Sequence, residues 1–174
     1  MRTRSFDLRR HQETRRFWTD LSEARQARDG LRLPSFDDFE LVDLPAHLIR
    51  GCLLIDLGVV RPRPGGEGRP YFRFAGETHY NMLGFECTRH YLDDLPIGAL
   101  VDTWRGVLET VARTREPLAG EVAYTDRSGR ALTIHWLRLP LSRDGERVDM
   151  VLGHDVYEGP GISPSTATIR TPVD

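Results

Sequence analysis

The chain has 174 residues, 39% of them hydrophobic and 29% charged, with a net charge of −2. That is enough to bury one core and short for two domains, and it gives no overall attraction to nucleic acid or an anionic membrane. Lysine is absent, which excludes Schiff-base lysine chemistry and a Walker-type phosphate loop, since both need the amine.

The opening "MRTRSFDLRR" is charged and lacks the apolar segment of a secretory signal, and no run of the chain approaches a membrane span. Cys52 and Cys87 are the only cysteines, without CxxC or Cys/His metal spacing. The expectation is a soluble cytoplasmic protein with reduced thiols and a flexible N-terminus over residues 1–8.

Residues 8–28 contain neither proline nor glycine and are rich in helix formers, with Phe17, Trp18, Leu21 and Ala24 as a narrow apolar stripe. "GLRLPS" ends that helix, and Pro45 starts a short one over 45–50. "CLLIDLGVV" (52–60) and "PYFRFAG" (70–76) read as strands, joined into a hairpin by "RPRPGGEGRP". Phe72 and Phe74 are expected on one face of the second strand. Two short helical turns follow, over 77–84 and 88–95. Leu100, Trp104, Val107, Leu108 and Val111 then fall on one face of a helix over 97–115. Strands over 118–126, 130–141 and 147–157 complete the pattern, and residues 158–174 read as a disordered Gly/Pro/Ser/Thr-rich tail.

Asp144-Gly145 predicts a two-residue type I′ turn, which sets a register. Leu141 then opposes Val148, Leu139 opposes Met150, Leu137 opposes Leu152, and His135 opposes His154. Trp136 and Arg138 fall on the reverse face. A loop of two or four residues before the fourth strand places Val122 and Tyr124 with Thr133 and His135. The predicted core face thus ends in a polar group of Tyr124, Thr133, His135 and His154.

Three ordered blocks carry a resemblance. They are "FWTDLSEARQARDGLRLPSFDDFELVDLPAHLIRGCLLIDL", "YFRFAGETHYNMLGFECTRHYLDDL" and "HWLRLPLSRDGERVDMVLGHDVYE". Together they resemble the PAS superfamily, and within it a compact bacterial branch of stand-alone PAS proteins, over roughly residues 15–157. Arg89 departs from that branch, which has glycine there. The resemblance implies an α+β PAS fold: a five-stranded antiparallel sheet of order 2-1-5-4-3 with helices on one face. It also implies an N-terminal helix on the other face or at a dimer contact, all within one domain spanning 9–157. Phe17, Trp18, Leu21 and Trp136 are the residues expected at that helix or dimer contact.

For function, the resemblance implies a non-enzymatic sensory or regulatory module. It would bind a small ligand or a protein partner, act as a homodimer, and signal in trans. Tyr124, Thr133, His135, His154, Phe74 and His79 are the candidate ligand contacts. His79 or His90 could serve haem if the ligand is haem, but no cofactor is predicted, and neither a metal site, nucleic acid nor membrane insertion is expected. Solvated or capping roles account more simply for Asp93 and Asp94, and "PGGEG" lacks the strand and helix context of a phosphate cradle. The rival reading is a small α+β isomerase- or cyclase-like enzyme, with Tyr124, His135 and His154 as acid–base groups.

Overall fold

The computed structural model describes residues 11–162. The expected N-terminal flexibility and most of the expected tail lie outside them. Four helices, α1 (Gln12–Asp29), α2 (Ala46–Ile49), α3 (Glu77–Leu83) and α4 (Leu100–Thr114), accompany five strands. The strands are β1 (Cys52–Asp56), β2 (Tyr71–Ala75), β3 (Leu118–Thr125), β4 (Ala131–Leu141) and β5 (Met150–Glu158). All ladders are antiparallel, and the sheet order is β2-β1-β5-β4-β3, as the resemblance implied.

Helices cover both faces of the sheet. On one face α4 buries Leu100, Trp104, Leu108 and Val111, one side of a 3.6-residue repeat. On the other lies α1. There Trp18 donates its indole N–H to the Pro140 carbonyl at 2.8 Å. The Arg25 guanidinium donates to the carbonyls of Leu33, Ser142 and Arg143, tying α1 to the loop after β4. Phe17 stacks edge-on against Phe39, and Leu21 packs against the core, so the predicted stripe is used within the chain.

The predicted β4–β5 register is corrected by two residues. Leu141 pairs with Met150, Leu139 with Leu152 and Leu137 with His154, while His135 faces Val156. The two-residue turn does not form because Ser142 leaves the ladder to donate its N–H to Pro34, and Asp149 closes back onto Leu141. Asp144 folds residues 144–147 onto its own carboxylate, accepting the backbone N–H groups of Glu146 and Arg147 at 2.8 Å. A shift of two keeps parity, so the three leucines still share a face, and α1 covers it.

The β3–β4 register is also corrected. Thr125 pairs with Ala131 around a turn over 126–130, where Asp126 accepts the N–H groups of Ser128 and Arg130. An odd loop reverses the predicted parity. Tyr124 pairs with Leu132, and Thr133 pairs with Ala123. Trp136 was expected beneath the α1 stripe. It lies instead on the α4 side, edge-on to Trp104 with ring centroids 5.8 Å apart. Gly120 makes this possible, since a Cβ there would come within 2.5 Å of the Trp136 ring.

Candidate functional site

Between the sheet and α3–α4 lies a pocket of about 500 Å³, counting its mouth open to solvent. Its walls are mainly apolar, with Leu53, Ile55, Phe72 and Trp104 among them. The side chains crowd its interior, leaving enclosed room for roughly two waters.

Four polar side chains form its floor. Arg138 and Asp155 are 3% and 5% exposed and pair through two contacts, Nη1–Oδ1 at 2.5 Å and Nη2–Oδ2 at 3.3 Å. They are diagonal neighbours: Arg138 pairs in the ladder with Gly153, and Asp155 with Trp136. The missing side chain at Gly153 lets the guanidinium lie across it, where a Cβ would stand 3.1 Å from Nη1. The Arg138 guanidinium also sits 4.8 Å from the centre of the Trp104 ring, a cation–π contact. Burial works to raise the Asp155 carboxyl pKa, but the Arg138 charge and the Arg138 hydrogen bonds outweigh it and hold it below the usual value.

His79 stands beside this pair, with Nδ1 3.9 Å from Asp155 Oδ2. Burial lowers its pKa and favours the neutral ring. One tautomer satisfies both nitrogens: Nε2–H donates to the Gly51 carbonyl at 3.2 Å, and Nδ1 accepts the Tyr157 hydroxyl at 2.8 Å. Burial likewise pushes the Tyr157 hydroxyl well above its ordinary pKa, keeping it a donor. Cys87 lines the same pocket as a buried thiol, pushed by burial up to about 12.

The sequence-predicted contacts do not assemble. Among them, His79 lines the pocket. Tyr124 shares the pocket face but belongs to edge strand β3 and is not part of the wall. Phe74 is separated from Phe72 by a bulge at Arg73: Phe72 opposes Ile55 and lines the pocket, while Phe74 opposes Leu54. His135 lies on the opposite face, with Nε2 2.9 Å from Glu158, and Thr133 is its neighbour on that face. His154 is buried beneath α1, where its Nδ1 meets His11 Nδ1 at 2.9 Å. The trio proposed for acid–base work is therefore dispersed over three places. His90 is exposed and donates Nδ1–H to the Thr88 carbonyl.

Arg138, Asp155 and Tyr157 were missed. Their signal is parity: Ile134, Trp136 and Arg138 on β4 share a face with Gly153, Asp155 and Tyr157 on β5, so one arginine and one aspartate sit within an apolar face. Among the described residues, no cluster of three or more His, Cys, Asp or Glu side chains could hold a metal. Nor is any helix among them long and apolar enough to cross a membrane.

No protein-family model matches the chain, and no curated protein matches it in sequence. Solved structures do resemble it. One is the PAS domain of a protein from Colwellia psychrerythraea, at 10% identity over 65% of this chain and 89% of that one, with TM-score 0.48. Another is the LOV domain of a blue-light activated histidine kinase from Erythrobacter litoralis EL346, at 16% identity over 62% and 94%, with TM-score 0.43. A third is an RsLOV variant, at 14% identity over 63% of this chain and 60% of that one, with TM-score 0.46. What those proteins bind and signal remains theirs. The assignment rests on this chain's own strand order, with α3 and α4 entering between β2 and β3 to roof the pocket: the chain has the PAS fold.

Proposed function

We propose that this chain is a non-enzymatic sensory or regulatory PAS module that takes a small ligand into the pocket under α3 and α4. The observation that carries this reading is the Arg138–Asp155 pair buried in a mainly apolar wall. A buried ion pair contributes little net stability relative to well-packed apolar side chains, so its presence in a core points to a role beyond holding the fold. The ligand would have an apolar body and a hydrogen-bonding head reaching Arg138, Asp155 or the Tyr157–His79 pair. Its entry requires the α3 and α4 side chains to part, which links occupancy to the conformation of the roof. His79 already gives both ring nitrogens to protein groups, so serving as a haem ligand would cost the hydrogen bond at whichever nitrogen met the iron. Output in trans to a protein partner, a cytoplasmic location and homodimerisation belong to the same proposal.

Native mass and an absorbance spectrum of freshly purified protein, followed by denaturing extraction, test the reading. The expected result is a small molecule retained by the wild type and lost in a Arg138→Met/Asp155→Leu double variant that still folds. A wild-type mass equal to the bare chain, together with no thermal shift from a panel of medium-chain alcohols, amides and acids, would overturn it.

A further inference from the structure

The second polar cluster lies on the other side of the sheet and plays no part in the pocket. His11, at the start of α1, and His154, on β5, are 1% and 5% exposed. Their Nδ1 atoms are 2.9 Å apart and their rings meet edge-on. One nitrogen in that contact carries the hydrogen and the other supplies the lone pair. A proton added to the acceptor leaves two N–H groups, and positive charge, face to face. Next to them Thr14 is fully buried, with its hydroxyl lacking a hydrogen-bond partner, so docking this part of α1 already carries a desolvation cost. Further along, the helix is anchored independently of any titration, by Trp18 to Pro140 and by Arg25 to three carbonyls.

We propose that His11 and His154 form a proton-released latch, which holds residues 11–17 of α1 on the sheet while both rings are neutral and frees them on acidification. Trp18 and Arg25 keep the remainder of the helix in place, so the opening is local. Freed, the latch uncovers the end of the sheet around His154 and its ladder partner Cys52.

The surrounding charges support this direction. Burial is the main cause lowering the pKa of both rings, to about 3 for His11 and about 4 for His154. Through the sheet Asp155 favours their protonation, while Arg138 opposes it for both; His135 opposes it for His11, and His79 and His47 oppose it for His154. Glu13 of α1 is engaged at the surface with His47 of α2 at 2.8 Å, and Cys52 of β1 remains a thiol, pushed up to about 12. A ring whose pKa rises to the ordinary 6.5 on release shifts the latch toward open by about 30-fold at pH 5 relative to pH 8, and two rings by about 900-fold.

Site-resolved hydrogen exchange on the full chain, corrected for intrinsic rates, tests this between pH 8 and 5. Protection at the amides of residues 15–18 should fall with a slope approaching two protons, while that at residues 24–28 holds. His154→Gln should reduce the slope to one proton, and His11→Gln/His154→Gln should abolish it. A pH-independent wild type, a slope surviving in the double variant, or loss of protection across the whole sheet at the same pH would each overturn the latch. Imidazole NMR titration of the wild type gives a check that needs no variant. Uncoupled titration of both rings near 6.5 in the closed protein would mean they are solvated, and would also overturn it.

Discussion

Arg138 and Asp155 meet diagonally across β4 and β5, and the gap that lets them do so is Gly153. Removing one partner strands a buried charge, which typically costs about 3–5 kcal/mol, whereas replacing both with apolar side chains of similar volume is often close to neutral. Arg138→Met and Asp155→Leu alone are therefore expected to lower unfolding stability by about that amount, and the double variant by about 1 kcal/mol or less. Urea denaturation of the four proteins checks it. If the two single losses simply add in the double variant, the pair is not acting as a buried unit.

Gly76, the joint between β2 and α3, is extended at φ −64°, so its requirement is space and not a left-handed backbone. A Cβ there would come within 2.2 Å of the Ile49 carbonyl oxygen and 2.3 Å of that of Arg50. Backbone atoms cannot turn aside as a side chain can. Gly76→Ala is expected to cost about 3 kcal/mol and to loosen α3, lowering hydrogen-exchange protection around His79. A substitution that leaves the urea midpoint unchanged would show that α2 and α3 are free to separate.

Strand and helix placement were legible in the sequence because they follow from period and punctuation, whereas the strand order came from the PAS resemblance. "CLLIDL" and "YFRFAG" carry strand composition, and Leu100, Trp104, Leu108 and Val111 keep helical spacing. The faces were not legible. Each depended on a loop whose length is set by particular hydrogen bonds: Ser142 to distant Pro34 in one, and Asp126 to N–H groups of its own turn in the other. The shift of two at the β4–β5 turn preserved parity and separated His135 from His154. The odd turn before β4 reversed parity and separated Tyr124 from Thr133. The pocket floor was lost for a related reason. Both faces of β4 and β5 are buried, so alternation could not say which one faced the pocket.

Arg89 adopts φ +67°, the geometry of the glycine that the PAS resemblance places there. A non-glycine residue in this region carries about 1 kcal/mol of backbone strain. The position is held because the Arg89 N–H donates to the Phe72 carbonyl at 2.7 Å, and the exposed side chain offers little in return. Arg89→Gly is expected to raise stability by about 1 kcal/mol at the melting temperature, or roughly 2–4 °C in Tm. An unchanged or lower Tm would mean that the greater freedom of glycine in the unfolded chain cancels the relief.

His79 links the pocket to acid sensitivity. Its pKa is lowered in the folded protein, so the neutral ring is favoured there, whereas in the unfolded chain it titrates near 6.5. The unfolded state therefore binds more protons below that value, and the stabilising term is fully present above about pH 6.5 and declines as pH falls through it. The lowered pKa values of His11 and His154 act with the same sign, so global unfolding should show an acid limb of up to about three protons between pH 6.5 and 5. His79→Gln cannot titrate and should reduce that slope by about one proton, even though it lowers stability at pH 8 by disturbing the contacts to Tyr157 and Gly51. Tyr157→Phe supplies the contrast: it removes the hydroxyl donated to Nδ1, costs about 1–2 kcal/mol at pH 8, and leaves the titrating ring in place. Urea midpoints from pH 5 to 8 distinguish the two substitutions. An identical acid slope in wild type and His79→Gln would mean that His79 exchanges its proton in the folded state, and that the pocket floor is wetter than its 2% exposure implies.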